Sequence, residues 1–295
     1  MKKSVIRLAG LGVAIIGLAG CQTLDAVKNS AGLSVSEPVS RVDLDALSAV
    51  VAARSDEEKA RDQYRHPAET MEFFGIAPDM TVVEALPGQG WYSRVIIPYV
   101  NANGGYGAVN YQAEMFKAIL PNASEERLAQ FQTFPETFPA IAAEWGATGD
   151  VTAWSFGEAP EGYQADAVLF IRALHNLNRS GGAYIDDAIG DAFTALKPGG
   201  IVGVVQHRAP ETATGAAASG ANGYLRQTDV IATFEAAGFV FEEASEINAN
   251  PADQPGAEDI VWRLPPTLGG GDENKDARIA IGERDRMTLR FRKPE

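Results

Sequence analysis

The chain has 295 residues, of which 45% are hydrophobic and 22% are charged. It can therefore bury a sizeable core, which excludes disordered and fibrous proteins. Aspartate and glutamate number 39 against 25 lysines and arginines, and the resulting formal charge of -14 predicts no nucleic-acid partner. Because Cys21 is the only cysteine, an intramolecular disulfide, a cysteine-rich zinc module and an iron–sulfur cage are all excluded.

Residues 1–20 have the features of a bacterial export signal. Two lysines and an arginine precede an apolar run over 8–19, which is shorter than a membrane span requires. The run ends in Leu-Ala-Gly before Cys21 and resembles the lipobox at which bacterial lipoproteins are cleaved and lipidated. This resemblance implies a lipid anchor on Cys21 in the cell envelope, and Gln22 implies the periplasmic face of the outer membrane. The alternative is a secreted protein without an anchor.

The next part of the pattern predicts a tether and then one folded domain. Residues 21–41 are rich in small residues without periodicity, which is typical of a tether. The domain is predicted over 42–295, and its first part, 42–75, is predicted to be a helical cap. The cap is indicated by helical spacing and by a capping box, formed by Leu44, Leu47 and Val51 and by Ser55 with Glu58.

From residue 81 onward, predicted strands and helices alternate. Strands are predicted over 81–84, 105–110, 151–156, 167–171, 201–205, from 239, and over 288–292. Helices are predicted over 124–132, 136–145, 185–196 and 228–238, the last capped by Thr228. The order predicts an α/β fold with a doubly wound, mostly parallel sheet of seven strands. In such a sheet the ligand lies at the carboxyl ends of the strands.

A glycine loop directly follows the first predicted strand. It reads EALPGQGW over residues 84–91, where glycines allow a ligand close to the main chain. The last glycine of a dinucleotide-binding loop is absent, because Ser93 stands there. An acid ahead of Gly-x-Gly is typical of class I S-adenosylmethionine-dependent methyltransferases, and the loop resembles theirs.

Other segments extend this resemblance over about residues 65–295. The turns LKPGG (196–200) and EAAGF (235–239) resemble those before later strands of these enzymes. Four more segments resemble a group of exported bacterial predicted methyltransferases, namely RHPAE (65–69), PGQGWY (87–92), LHN (174–176) and RDRMTL (284–289). The resemblance implies a Rossmann-like methyltransferase fold, S-adenosylmethionine as cofactor and a small-molecule substrate.

The resemblance also assigns cofactor-binding positions. They are Glu84, Gly88, Gly90, Trp91, Asn110, Ser155 and Phe156. Ser155 and Phe156 are equally compatible with the core, and an aromatic residue such as Trp91 more often packs than binds a ligand. Leu86 replaces the first glycine of the usual loop, which predicts a tighter or differently placed turn. Asn110 stands where many class I enzymes have an acid for the ribose hydroxyls, and an amide binds hydroxyls less strongly than a carboxylate.

The three histidines of the chain supply candidate chemistry. The topology places His66, His175 and His207 near one edge of the sheet. His175 or His207 is predicted to act as a base, with Arg172 or Arg208 holding an anionic substrate. The alternatives are histidines that satisfy loop carbonyls, or a three-histidine metal site without HExxH-type spacing.

These observations predict S-adenosylmethionine-dependent methyl transfer to a small molecule. One alternative is a non-catalytic envelope lipoprotein that binds another ligand with the same fold, as Leu86, Asn110 and the export signal allow. A metal-dependent hydrolase is the third. The small-residue loop 215–223 is predicted to be a lid or a connection, and the acidic run 272–276 a solvated loop.

Overall fold

The computed structural model describes residues 41–101, 103–179 and 181–295, which belong to one compact unit. Cys21, the predicted signal over 1–20 and the tether up to residue 40 lie outside the described residues. None of the helices within the described ranges is long and apolar enough to cross a membrane.

The described residues form twelve α-helices and eight strands. The helices are α1 (Leu44–Ala53), α2 (Asp56–Lys59), α3 (Asp62–Arg65), α4 (Pro67–Phe74), α5 (Ser93–Val100), α6 (Ala113–Ile119), α7 (Glu125–Gln132), α8 (Phe134–Glu144), α9 (Leu174–Asn178), α10 (Ile185–Ala195), α11 (Gln227–Ala236) and α12 (Lys275–Ile281). The strands are β1 (Thr81–Ala85), β2 (Gly105–Asn110), β3 (Val151–Ser155), β4 (Ala165–Ile171), β5 (Leu196–Ala209), β6 (Leu225–Arg226), β7 (Val240–Ser245) and β8 (Arg286–Arg292).

The helical cap forms as its local signals predict. The Asp43 side chain accepts a hydrogen bond from the Ala46 amide at the start of α1, and Ser55 with Glu58 makes the capping box of α2. At the end of α4, Gly75 has a φ of +75°, a left-handed conformation that glycine adopts without strain. The cap packs α1 onto α4 and α5, so it lies beside the glycine loop that precedes α5.

The sheet confirms the predicted doubly wound, mostly parallel architecture. Seven strands form the order β3-β2-β1-β4-β5-β8-β7, and the two-residue β6 pairs with the end of β5. All neighbouring pairs from β3 to β5 are parallel, whereas β8 runs antiparallel to both β5 and β7. The carboxyl ends of β1, β2, β4 and β5 therefore meet at one edge, where the glycine loop begins.

Two apolar cores cover the two faces of the sheet. Side chains from α1, α4, α5 and α8 pack on one face. Those from α6, α7, α9, α10 and α11 pack on the other. β4 is apolar at most positions because helices cover it on both sides, as predicted for a buried parallel strand.

Two local predictions need correction. The helix predicted to be capped by Thr228 begins at Gln227, and the Glu211 carboxylate accepts hydrogen bonds from the amides of both residues. A side chain from a distant loop thus satisfies the free amides of α11. The acidic run 272–276 is exposed as predicted, but α12 begins inside it at Lys275.

Candidate functional site

The glycine loop turns sharply after β1 with three left-handed residues. Leu86, Gly88 and Gly90 have φ values of +55°, +61° and +74°. A left-handed conformation costs a non-glycine residue about 1–2 kcal/mol, so Leu86 is strained. The Leu86 amide also donates to the Val109 carbonyl at 2.8 Å, which holds the turn against β2. Leu86 therefore takes a backbone conformation suited to glycine.

The two glycines of the loop are needed for different reasons. A Cβ on Gly88 would find no heavy atom closer than 3.9 Å, and Gly88 borders open cavities. A Cβ on Gly90 would lie 2.6 Å from the Trp145 ring, closer than atoms can pack. Gly88 thus leaves main chain accessible to a ligand, whereas Gly90 makes room for the protein's own indole.

Two cavities meet at this loop and share Leu86, Gly88, Gln89 and Asn176. The arginine chamber has a volume of about 380 Å³ and is lined further by Arg61, Arg65, Glu84, Pro87, Trp91, Tyr92, Ile171, Arg172, His175, His207, Val261, Trp262, Pro266, Thr267 and Arg284. The aromatic cavity has a volume of about 600 Å³ and is lined further by Asn110, Tyr111, Phe116, Arg127, Gln130, Phe131, Thr133, Phe134, Thr137, Phe138, Ile141 and Trp145.

The aromatic cavity lies over the end of β2. Phe116 and Phe131 have ring centroids 4.3 Å apart, and Tyr111 meets the Phe131 ring edge-on at 5.4 Å. Asn110, at the last position of β2, lines this cavity and accepts a hydrogen bond from the Tyr111 amide through its Oδ1. The cavity offers ring faces and a few polar groups, Asn110 among them, to a flat ligand.

Ser155 and Phe156 lie beside Asn110 but not on either cavity surface. Ser155 pairs with Asn110 in the sheet, and the Phe156 amide donates to the Asn110 carbonyl at 2.9 Å. Phe156 belongs to the apolar core, and neither residue is among the described residues that line the cavities. The structure therefore places this pair behind the cavity wall.

Glu84 is a buried acid at the end of β1 and borders the arginine chamber. Its Oε2 accepts hydrogen bonds from Ser93 Oγ at 2.6 Å and from Tyr106 Oη at 2.7 Å. Burial raises the pKa of Glu84 to about 7, although both hydrogen bonds and the charge of Arg172 oppose this shift. Near neutral pH this carboxyl group can exist in either protonation state.

His175 and His207 face each other at the ends of β4 and β5, with ring centroids 5.4 Å apart. His175 Nδ1 lies 3.3 Å from Gln206 Oε1, and His207 Nδ1 has no partner among the described residues. Burial lowers the pKa of His175 to about 4 despite the hydrogen bond to Gln206. Burial also lowers the pKa of His207, and nearby arginines add to this effect. Both rings are neutral at pH 7.

Arginines from three parts of the chain surround these histidines. Arg65 ends α3, Arg172 follows β4, and Arg284 precedes β8. Burial and, next, the charge of Arg172 lower the pKa of Arg65 to about 8, although Glu283 opposes the shift. Burial likewise lowers the pKa values of Arg172 and Arg284 to about 10. These directions reflect positive charges that are poorly compensated by their surroundings.

Glu283 is the acid that pairs with this arginine cluster. Its carboxylate lies 2.6 Å from Arg61 and 3.1 Å from Arg65, and it also pairs with Arg286. Although burial opposes the shift, the charges of Arg286, Arg65 and Arg61 lower the pKa of Glu283 to about 2. One carboxylate thus forms ion pairs with three guanidinium groups.

Arg284 binds the segment 261–267, which covers the arginine chamber. Its Nε donates to the Val261 carbonyl, its Nη1 to the Pro265 carbonyl at 2.6 Å and its Nη2 to Thr267 Oγ1 at 3.3 Å. The roof, residues 261–267, carries Trp262, whose ring lies 6.0 Å from that of His175. This segment shields the histidines from solvent.

Trp91 forms the wall next to the cap. Its Nε1 donates to the Glu58 carbonyl at 3.2 Å, and the guanidinium carbons of Arg65 and Arg54 lie 4.6 and 4.9 Å from the ring centroid. Trp91 therefore borders the chamber, as its predicted place at the ligand edge requires, and also fixes Arg65 by a cation–π contact.

Two residues predicted near the site line neither cavity. His66 joins α3 to α4 and is not among the described residues that line either cavity. Arg208 is taken up by ion pairs with Asp285 at 2.8 Å and Glu246 at 2.7 Å. Within the described ranges, no group of three or more His, Cys, Asp or Glu residues can hold a metal ion, so the three histidines do not form the alternative metal site.

The comparisons with known proteins find similarity in structure alone. No family model and no curated protein matches the sequence. The solved [4+2]-cyclase SpnF aligns with a TM-score of 0.52 and 18% identity over 82% of this chain and 84% of its own. A SAM-dependent methyltransferase from Aquifex aeolicus aligns with a TM-score of 0.46 and 15% identity over 68% of this chain and 93% of its own.

A third solved structure was determined with S-adenosylhomocysteine. This 1,6-didemethyltoxoflavin-N1-methyltransferase from Burkholderia thailandensis aligns with a TM-score of 0.44 and 13% identity over 84% of this chain and 87% of its own. The described residues have a doubly wound, Rossmann-like α/β fold, as the strand order and the alignment with SpnF show. At these identities the similarity shows the fold alone.

Proposed function

We propose that this protein binds S-adenosylmethionine across the glycine loop and transfers its methyl group to a small molecule in the arginine chamber. The observation that carries the proposal is the meeting of two unlike cavities at the bare main chain of Gly88. S-Adenosylmethionine has the same two-part character, because a flat nucleoside is joined to a charged amino acid.

The residues of both cavities fit this cofactor. The aromatic cavity has the ring faces to hold the adenine, and Asn110 at its wall has an amide for the ribose hydroxyls. On the other side of Gly88, the Glu84 carboxylate would pair with the ammonium group of the amino acid. Both volumes lie in the range of about 300–1,000 Å³ that small-molecule sites occupy.

The chemistry of transfer divides between cofactor and protein. When bound, S-adenosylmethionine supplies an electrophilic methyl group on its sulfonium. The hydrogen bond to Gln206 Oε1 places the proton of His175 on Nδ1. His175 Nε2 therefore keeps a lone pair, which can take up the proton that the methylated substrate releases. The low pKa of His175 keeps this nitrogen unprotonated at neutral pH, but it also makes the ring a weak base, so His175 would take a proton only from an acceptor that becomes acidic as its bond to the methyl group forms. The roof residue Trp262 lies beside the ring.

Calorimetry on the full-length protein with S-adenosylmethionine and S-adenosylhomocysteine tests the proposal. In Gly88→Asn, asparagine tolerates the left-handed backbone while its side chain enters the ligand's space, so affinity should fall by more than about tenfold. Gly190→Asn is the matched control, because a Cβ there meets nothing within 4 Å on the exposed side of α10. Absence of binding at millimolar ligand, or equal affinity of Gly88→Asn and wild type, would contradict the proposal.

We also propose that a lipid on Cys21 anchors the protein at the periplasmic face of the outer membrane. The support is the signal-like sequence ending at Cys21, followed by Gln22. Labelled palmitate should appear on the wild type and be lost from Cys21→Ser, and equal labelling of the two proteins would refute the anchor.

A further inference from the structure

The arginine chamber concentrates positive charge in a strongly acidic protein. Four arginines line it, and a fifth, Arg286, pairs with Glu283 just behind them. Glu84 is the single acid among the described residues that line the chamber. Even with Glu84 and Glu283 ionised, guanidinium groups outnumber carboxylates, although the whole chain has a formal charge of -14. Among the described residues, the guanidinium groups at the chamber therefore exceed the carboxylates that could neutralise them, even after Glu283 has paired with three of them.

Several hydrogen-bond donors at the chamber are also unmatched. Arg65 is only 2% exposed, and its Nη1 and Nη2 have no hydrogen-bond partner among the described residues. Arg172 Nε is likewise a buried donor without a partner among the described residues, and His207 Nδ1 is a buried ring nitrogen without one. Buried donors are normally satisfied, so unmatched groups around one cavity indicate a ligand that accepts hydrogen bonds.

The cofactor of the proposed function does not remove this imbalance. S-Adenosylmethionine carries a sulfonium and an ammonium group against one carboxylate, so it adds net positive charge. Its demethylated product has lost the sulfonium and is neutral overall. A chamber that already holds surplus arginines disfavours the charged cofactor unless a further anion enters with it.

We propose, resting on this function, that the methyl acceptor bears an oxyanion, a carboxylate or a phosphate, which Arg65 and Arg172 bind. The guanidinium fork donates two parallel hydrogen bonds to either group. The charge of the oxyanion also offsets the sulfonium. Acceptor and S-adenosylmethionine therefore bind with positive cooperativity, whereas acceptor and S-adenosylhomocysteine are coupled less strongly.

The first test uses the full-length protein without cofactor. Inorganic phosphate and acetate are titrated separately at constant ionic strength, with chloride as the balancing ion, and binding is followed by calorimetry and by thermal unfolding. We expect saturable binding of at least one anion, and the tighter of the two identifies the group on the acceptor. Stabilisation no greater than that given by chloride overturns the inference.

Variants then locate the anion. Arg172→Gln should weaken binding by more than about tenfold, and Arg172→Lys, which keeps the charge without the fork, should fall between it and wild type. Residue 172 has a left-handed backbone with a φ of +58°, so arginine, lysine and glutamine are all strained there and the comparison tests the side chain alone. Arg226→Gln makes the same charge change in a surface pair with Asp229 and should bind like wild type. Equal losses in Arg172→Gln and Arg226→Gln would show a nonspecific charge effect and overturn the assignment.

The second test measures coupling with the cofactor. The bound anion should tighten S-adenosylmethionine by about fivefold or more and S-adenosylhomocysteine by less. Weaker cofactor binding in its presence would mean that the arginines hold the cofactor's own carboxylate, which refutes the inference. Anion binding without any cofactor binding would remove the proposed methyl transfer and leave the anion site. Cofactor binding without anion binding would remove the anion site and leave the proposed methyl transfer.

Discussion

His175 Nδ1 and Gln206 Oε1 lie 3.3 Å apart, and the rest of the Gln206 amide determines which atom carries the proton. Gln206 Nε2 donates to the carbonyls of Gly223 at 3.3 Å and His207 at 3.4 Å, so Oε1 must face His175. An amide oxygen only accepts hydrogen bonds, and therefore His175 Nδ1 carries the proton.

This arrangement predicts the state of His175 in solution. Nitrogen NMR of the three histidines should show His175 as the Nδ1-protonated tautomer and neutral down to about pH 4. Because the Gln206 hydrogen bond raises the pKa of His175, Gln206→Leu should lower this pKa further and remove the preference for one tautomer. Titration of His175 near its ordinary value of 6.5, or an Nε2-protonated ring, would contradict this geometry.

Glu84 predicts a pH-dependent loss of stability. Burial raises the pKa of Glu84 from 4.5 to about 7, so the native state retains a proton that the unfolded state releases. The contribution of this group is fully present below pH 4.5 and is lost as pH rises through 7, by about 3 kcal/mol in the free energy of unfolding. Glu84→Gln, which keeps an acceptor for Ser93 and Tyr106, should lack this decline. Denaturant unfolding of both proteins across this pH range checks it, and a constant difference between them would be evidence against it.

Leu86 predicts a gain of ligand affinity on substitution by glycine. Its side chain borders both cavities, and its backbone is left-handed. Leu86→Gly removes both the strain and the side chain at the junction, so S-adenosylhomocysteine should bind more tightly. Leu86→Ala clears the junction while keeping a strained Cβ, and comparing the two affinities by calorimetry separates the effects. Weaker binding in both variants would mean that the leucine contacts the ligand favourably.

Gly90 predicts a stability defect that depends on Trp145. An added Cβ would lie 2.6 Å from the indole, and the left-handed backbone adds strain, so Gly90→Ala should cost about 2 kcal/mol or more. In the Trp145→Leu background the cost of Gly90→Ala should be smaller, and a thermodynamic cycle by chemical denaturation measures that difference. Gly190→Ala, at an open helical position, should instead stabilise slightly. Equal costs in both backgrounds would exclude the clash.

Substitution of Glu283 should cause the largest loss of stability. Its removal leaves Arg61, Arg65 and Arg286 buried without their shared carboxylate, so Glu283→Gln should lower the free energy of unfolding by about 3–5 kcal/mol. Glu243→Gln breaks an exposed pair with Arg290 and should change it by less than about 0.5 kcal/mol. Similar effects of the two substitutions in urea unfolding would refute the buried network.

The strands and helices could be predicted from the sequence because the signals that form them are local. Apolar runs such as 167–171, the capping box at Ser55 and the stop at Gly75 are each encoded within a few residues. The edge that holds the glycine loop, Glu84 and both buried histidines follows directly from the alternation of strands and helices.

The arginine chamber was not predictable in the same way. Its cations come from α3, from the end of β4 and from the start of β8, and nothing local indicates that they are buried together. Arg208 was a natural candidate because it follows His207 directly. Successive residues of a strand point to opposite faces, however, so His207 faces the chamber while Arg208 turns to Asp285. The segment 284–289 was singled out by resemblance, but the position of Arg284 depends on its hydrogen bonds to residues 261–267, which the sequence does not reveal.

The roof that Arg284 holds has a practical consequence. It carries Trp262, whose ring lies 6.0 Å from that of His175 and 5.3 Å from the Arg179 guanidinium, and Trp91 lines the same chamber. Two of the four indoles in the protein thus border the same small volume. Whatever occupies that volume will alter their emission, so the molecule carries its own fluorescent reporter and its unidentified ligand can be screened for without any label.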